Sequence, residues 1–143
     1  MTEMIAGSAQ SEVENRRRIY QSILGFNMLL HLGIGLGCMF LPYFVSAVFD
    51  LPPPVPSGWI RGWGATLILV TALYVPGLRH PLGVRYPNIA GIFGRLWMAT
   101  IWFFIGGGLF WFGVFDLCFA LILAFFYHRL VKSADRRGAA AHG

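Results

Sequence analysis

Four long apolar segments, each bounded by polar or helix-breaking residues, constrain the fold of this chain more than any other feature. They cover about residues 19–41, 59–78, 88–105 and 109–128. Each has about 18 to 23 residues, the length that crosses a hydrocarbon core of roughly 30 Å as an α-helix. None alternates with a period of two, so a membrane β-barrel is not indicated. The sequence predicts an all-α membrane protein with a four-transmembrane-helix bundle.

Composition agrees with lipid as the solvent of this chain. Only 12% of the 143 residues are charged and 57% are hydrophobic, whereas soluble domains carry about 25% charged residues. A water-soluble domain of this length could not bury so much apolar surface. The net charge of +5 comes from basic residues at the ends of the apolar segments. Because these residues form no basic face, nucleic acid is not expected as a partner.

The segments divide the chain into a polar N-terminus at 1–18, a transmembrane domain at 19–130 and a small, charged tail at 131–143, which we expect to be disordered. The first segment lacks a signal-peptide cleavage pattern, so we expect it to stay as a helix. In the outer loop 42–58, residues 43–49 are apolar but too short to span, and predict a helix or turn at the interface. The prolines that follow predict an extended segment.

Basic residues predict the orientation. Short loops rich in Lys and Arg stay in the cytoplasm, and most of the eleven Lys and Arg flank one side of the predicted membrane. Both termini are therefore expected to be cytoplasmic. Arg61 lies near the other surface, and Arg95 is inside the third segment. The residues on the cytoplasmic side are Arg16, Arg17, Arg18, Arg79, Arg85, Arg129, Lys132, Arg136 and Arg137.

Polar side chains inside the apolar segments are the candidate site, because burying them in lipid is costly. At 1.5 Å per residue, His31 and Asp116 lie about 17 and 18 Å from the cytoplasmic edge. Asn27 and Arg95 both lie about 10 Å from that edge, and Arg61 about 26 Å. The depths therefore match His31 with Asp116 and Asn27 with Arg95.

Helix faces support one buried cluster of these residues. Asn27 and His31 are four residues apart and share a face of the first helix. We expect His31, Arg95 and Asp116 to meet between the helices, with Arg61 capping them from the outer side. Two interpretations stay open. The cluster is either a charge-neutral clamp that fixes helix register, or a functional site: a pocket for a quinone or lipid headgroup, or a proton relay.

No haem, metal or catalytic site is indicated. His31 and His128 differ in depth by about 17 Å, so they cannot ligate one haem. Cys38 and Cys118 lie in apolar segments without metal-ligand spacing, and are expected to be packing residues. No cofactor is identified from the residues, and a quinone or a lipid is the class of ligand that the cluster would bind if it is a functional site.

Three features set the layout of the segments: Gly37-x-x-x-Leu41-Pro42 at the end of the first segment, Gly58-Trp59-Ile60-Arg61-Gly62-Trp63-Gly64 at the start of the second, and Arg95 in the third. With them, the chain resembles the small four-helix bacterial membrane families around the DoxX-like and BphX-like groups. Some DoxX-like members are subunits of quinone-linked oxidoreductases, so the resemblance implies an accessory membrane subunit and carries over no catalytic residue.

We therefore expect a multi-pass protein of the bacterial inner (cytoplasmic) membrane that contacts membrane lipid and acts as a non-catalytic accessory subunit with a protein partner in the membrane. Gly33 and Gly37 form a G-x-x-x-G motif that could dock another helix, in this chain or in a partner. The alternative is a small transporter or proton-coupled carrier that uses His31, Arg95 and Asp116. An enzyme is not favoured, because the sequence has no paired-carboxylate, Ser/His or metal constellation.

Overall fold

The computed structural model describes the backbone of residues 2–142 and the side chains of residue 7 and residues 10–139. Within this part of the chain all regular structure is helical, without strands. The helices are α1 (Thr2–Phe40), α2 (Pro42–Val48), α3 (Gly58–Arg79), α4 (Tyr86–Ile105) and α5 (Phe110–His142), with a 3₁₀ turn at Gly107–Leu109 before α5.

Four of these helices, α1, α3, α4 and α5, are long and apolar enough to cross a membrane. The prediction of an all-α chain with four candidate membrane spans is therefore confirmed. The candidate spans are Gln10–Phe40, Gly58–Arg79, Tyr86–Ile105 and Gly107–Ala139. The outer segment 43–49, expected to be a helix or turn, lies mostly in α2.

Helices α1 and α5 extend beyond the apolar segments. The polar N-terminus is helical from Thr2, and α5 continues through the tail to His142, where disorder was expected. The physical reason at the start of the tail is shared burial, since Val131 and Ala134 of α5 pack against the apolar cluster that contains Val13 of α1. Met1 and Gly143, the outermost residues of those two segments, lie outside the described residues.

Glycines form the break between α4 and α5. Gly106 and Gly107 have φ angles of 74° and 60°, values that side chains other than glycine rarely adopt. A Cβ atom at Gly108 would collide with the backbone carbonyl of Phe49. The Gly106–Gly108 turn therefore both reverses the chain and seats the outer loop against the end of the bundle.

The bundle core is built around α1, which packs against α3 and α5, while α4 packs mainly against α5. The α1–α3 contact depends on two glycines: a Cβ at Gly64 would lie 2.5 Å from the Gly35 carbonyl oxygen and 2.8 Å from Cys38 Cβ. In lipid, such small residues let backbones approach closely and gain dispersion energy.

The C-terminal end of α3 is joined to the other three spans by hydrogen bonds. The last carbonyls of a helix have no partner within the helix, and here side chains from α1, α4 and α5 donate to these carbonyls and to that of the following turn. Gln21 donates to Leu78 O (2.7 Å), Asn88 to Gly77 O (3.3 Å) and Pro81 O (3.4 Å), and Tyr127 to Pro81 O (3.2 Å).

Candidate functional site

The candidate site is a polar cluster between α1, α4 and α5. Asn27 and His31 lie one turn apart on the buried face of α1, Arg95 lies on α4, and Asp116 lies on α5. Arg95 is only 3% exposed and Asn27 is completely buried. The surrounding helices are apolar, so this cluster is a polar centre in an otherwise apolar bundle.

An ion pair joins α4 and α5 inside this cluster. Arg95 Nη1 donates to Asp116 Oδ1 at 2.8 Å. The second carboxylate oxygen of Asp116 accepts from Trp102 Nε1 at 3.2 Å. Both oxygens of the carboxylate thus have partners on α4, which offsets part of the cost of removing the carboxylate from water.

The other terminal nitrogen of Arg95 reaches α1. Arg95 Nη2 donates to Asn27 Oδ1 and lies 2.8 Å from His31 Nε2. A guanidinium group only donates hydrogen bonds, so Nε2 of His31 must be the acceptor in this contact. The imidazole is then neutral with its proton on Nδ1. One arginine therefore contacts two other spans at once.

Aromatic rings complete the environment of the cation. The Cζ atom of Arg95 lies 6.0 Å from the ring centroid of Phe115 and 5.7 Å from that of Phe119. The negative face of an aromatic ring attracts a guanidinium group at such distances. The apolar neighbours of Arg95 on α5 therefore stabilise the charge as well as fill space.

Two donors in the cluster have no hydrogen-bond partner within the described part of the chain: Arg95 Nε and Asn27 Nδ2. Both belong to side chains that are at least nine-tenths buried. Most buried polar atoms in proteins are paired, so the cluster keeps unused donor capacity inside the bundle. This feature is found at functional sites as well as at structural ones.

A small cavity of about 20 Å³ adjoins the cluster. Its polar lining is His31 and Asp116, and its aromatic lining is Trp63, Trp102, Phe112 and Phe115. A water molecule needs about 10–15 Å³, whereas ligand pockets occupy about 300–1,000 Å³. This cavity therefore accommodates one water molecule, and it is too small for a quinone ring.

Arg61 lies apart from the cluster that it was expected to cap. Its guanidinium is exposed, and Nη1 donates to the Met39 carbonyl oxygen at 2.7 Å. Met39 is in the last turn of α1, where the carbonyls lack partners within the helix. This residue joins the start of α3 to the end of α1, and within the described residues no hydrogen bond or ion pair connects it to the cluster.

A second concave region lies between α1 and α2, with a volume of about 490 Å³ and an apolar lining. A Cβ at Gly33 would meet nothing within 4 Å, whereas one at Gly37 would lie 3.2 Å from Val45 of α2. We call this region the α1–α2 groove. The residues that line it are Gly33, Ile34, Leu36, Gly37, Phe40, Leu41, Phe44, Val45 and Phe49.

The structure thus brings together four of the five residues selected from the sequence, namely Asn27, His31, Arg95 and Asp116. The structure adds Trp102, which was not among the candidate site residues, because its Nε1 donates to Asp116. The signal was present in the spacing: Trp102 follows Arg95 by seven residues, so both side chains lie on one helix face.

Within the described residues, no group of three or more His, Cys, Asp or Glu side chains could hold a metal ion. Comparison of the chain with protein-family models, curated proteins and solved structures found no match. The resemblance to DoxX-like proteins therefore stays a prediction from the sequence, and any function must be argued from the geometry of the cluster and the groove.

Proposed function

We propose that this chain is a non-catalytic, multi-pass accessory subunit of a larger assembly in the bacterial inner membrane, and that a helix of its protein partner docks in the α1–α2 groove. The groove carries the proposal. Its floor contains Gly33 and Gly37, and small residues of this kind allow helices to pack closely in lipid. The exposed rings of Phe40 and Phe44 provide walls for an apolar helix. The same role is implied by the DoxX-like resemblance.

The polar cluster has a structural role in this proposal. Its ion pair is enclosed, its members bond to one another, and the adjoining cavity of about 20 Å³ leaves no room for an organic substrate. Such a pair fixes the register of helices, since any slip would leave a buried charge without a partner. Arg95 and Asp116 then hold α4 and α5 in the arrangement that supports α1 and its groove.

Both termini face the cytoplasm in this proposal. The support is the concentration of basic residues at the end of the bundle that contains Arg79, Arg85 and Arg129, because basic loops are retained in the cytoplasm. Reporter fusions at Gly83 and after residue 143 should both report the cytoplasm, and an insertion at Val55 the opposite side. Opposite locations for the first two would contradict the topology.

A matched pair of substitutions on α1 tests the docking of a partner. Gly33→Leu fills the groove, whereas Gly25→Leu adds the same side chain outside it, and a Cβ at either position meets nothing within 4 Å. The wild-type chain should co-purify in mild detergent with one membrane protein at fixed stoichiometry. Gly33→Leu should lose most of that partner, and Gly25→Leu should keep it.

Two results would count against the accessory role. One is recovery of the wild-type chain alone after crosslinking in intact membranes. The other is retention of the partner by Gly33→Leu at the level of Gly25→Leu, which would place the contact elsewhere.

A proton-coupled carrier is the second candidate, and one observation favours it. His31 and Asp116, two groups that exchange protons in water, line the same cavity, and proton relays in membranes use such pairs. Proteoliposomes that contain the wild-type chain should then show proton flux that Asp116→Asn abolishes. The absence of flux above that of empty vesicles would exclude this function.

A further inference from the structure

Basic residues from three separate segments meet at one end of the bundle. These segments are the first half of α1, the end of α3 with the turn that follows it, and the C-terminal half of α5. Side chains join them there, because Gln21 of α1 donates to Leu78 O and Tyr127 of α5 donates to Pro81 O. We call this region the basic end. Its residues are Arg16, Arg17, Arg18, Arg79, Arg85, Arg129, Lys132, Arg136 and Arg137.

The charges of the basic end fall into two groups. The three arginines of α1 are paired within their own helix with two glutamates, through Arg16–Glu12 (2.5 Å), Arg17–Glu14 (3.7 Å) and Arg18–Glu14 (3.2 Å). The basic side chains of the turn and of α5 form no ion pair within the described part of the chain. They are also exposed: Arg79, Arg85, Arg129, Lys132, Arg136 and Arg137.

On α5, the exposed face changes from apolar to basic within one turn. Ile122 and Phe125 are 41% and 54% exposed, and Arg129 and Lys132 follow on the same face at helical spacing. The Arg129 guanidinium lies 5.4 Å from the Phe125 ring centroid. Arg129 thus lies over the Phe125 ring where the apolar face of α5 gives way to charge, as basic residues do at a lipid interface.

We propose that Arg129 and Lys132 form a binding site for the phosphate headgroup of an anionic phospholipid. The ligand must combine negative charge with an apolar tail, because the two cations directly continue the apolar face of Ile122 and Phe125. An acidic peptide or a nucleic acid would use the charges and leave that face uncovered. An anionic lipid covers both, and basic residues at the end of a membrane helix attract such headgroups.

The test compares two double substitutions that remove the same charge. Arg129→Gln/Lys132→Gln removes the cations next to the apolar face, and Arg136→Gln/Arg137→Gln removes two cations about 10 Å further along α5. The full chain is reconstituted in nanodiscs of equimolar phosphatidylglycerol and phosphatidylcholine, released into detergent, and its retained lipids are counted by native mass spectrometry. Thermal unfolding in neutral detergent confirms that each variant is folded.

The wild-type chain should retain phosphatidylglycerol in preference to phosphatidylcholine. The preference should fall by about fivefold for each charge removed at Arg129 and Lys132, since one basic residue near an anionic surface contributes about 1 kcal/mol. The Arg136→Gln/Arg137→Gln variant should keep most of it. Equal loss in both variants, or no preference in the wild-type chain, would overturn the proposal. Complete displacement of phosphatidylglycerol by a polyglutamate peptide would show that an acidic protein occupies the site instead.

Discussion

Arg95 Nη1 and Asp116 Oδ1 lie 2.8 Å apart and join α4 to α5 at the centre of the bundle. Because Arg95 also donates to Asn27 on α1, one side chain connects three of the four candidate spans. α3 is also attached by the close contact of Gly35 with Gly64 and by the hydrogen bonds at its C-terminal end. The bundle therefore has a polar joint at its centre, a small-residue joint between α1 and α3, and a set of hydrogen bonds at the C-terminal end of α3.

The first prediction is strong coupling between Arg95 and Asp116. Each single substitution, Arg95→Ala or Asp116→Ala, should lower the free energy of unfolding by about 3 kcal/mol, because it leaves the other charge buried without its partner. The double variant should cost clearly less than the sum, with a coupling energy of about 1–3 kcal/mol. Unfolding in mixed micelles with increasing dodecyl sulfate measures all three values.

Arg61→Ala combined with Asp116→Ala is the control for that cycle. Arg61 bonds to the Met39 carbonyl and not to the cluster, so the two effects should add to within about 0.5 kcal/mol. Additive behaviour of Arg95 and Asp116 as well would show that the ion pair contributes no specific stabilisation.

The second prediction concerns Trp102. Trp102→Phe keeps an aromatic ring next to Trp63 and Phe112 and removes only the donor that bonds Asp116 Oδ2 at 3.2 Å. It should cost about 1.5–3 kcal/mol, the range for a hydrogen bond to a charged group. Trp97→Phe on the same helix, where the ring is 67% exposed, should change the free energy of unfolding by less than about 0.5 kcal/mol. Equal effects would exclude a role for the Trp102–Asp116 bond.

The four candidate spans and most of the cluster could be predicted from the sequence, because an α-helix rises by a fixed 1.5 Å per residue. Counting from one membrane edge placed Asn27 and Arg95 at the same depth, and the structure places them in contact. His31 and Asp116 were also predicted to lie at the same depth. In the structure they are connected through Arg95, to which each of them is hydrogen-bonded. Depth restricts the choice of partners, but the reach of the longest side chain decides which of them meet.

The remaining features depend on tertiary contacts that depth and composition do not contain. The tail has few apolar residues, yet Val131 and Ala134 pack against the cluster that contains Val13 of α1, which supports a helix at its start. Arg61 was assigned to the cluster by its charge, whereas the unpaired carbonyls at the end of α1 are nearer to it. The size of the cavity beside His31 depends on rotamers of four aromatic side chains, which no periodicity encodes.

The third prediction separates two glycines on α3. A Cβ at Gly64 would lie 2.5 Å from the Gly35 carbonyl oxygen, whereas a Cβ at Gly62 would meet nothing within 4 Å. Gly64→Ala should destabilise the protein by about 1–3 kcal/mol, because α1 and α3 must move apart. Gly62→Ala should be neutral or slightly stabilising, since alanine favours the helix. Unfolding of both variants in the same micelles makes the comparison, and equal values would contradict the close α1–α3 contact.

The fourth prediction tests the hydrogen bonds at the C-terminal end of α3. Gln21 Nε2 donates to the Leu78 carbonyl at 2.7 Å, and α3 ends at Arg79, so this carbonyl has no partner within its helix. Gln21→Leu would leave it unpaired against an apolar side chain, and should cost about 1–3 kcal/mol. Ser22→Leu, at the neighbouring exposed position, introduces the same residue without touching α3 and should cost little.

Amide hydrogen exchange gives a local measurement for the same pair of variants. In Gln21→Leu, protection should fall at residues 76–82, because the end of α3 loses its bond from Gln21 and opens more often. The bonds from Asn88 and Tyr127 to the following turn remain, as does the bond from Arg17 to the Arg79 carbonyl, so the loss should not spread to α4. If Gln21→Leu and Ser22→Leu show the same exchange at residues 76–82, the Gln21–Leu78 bond does not stabilise the end of α3.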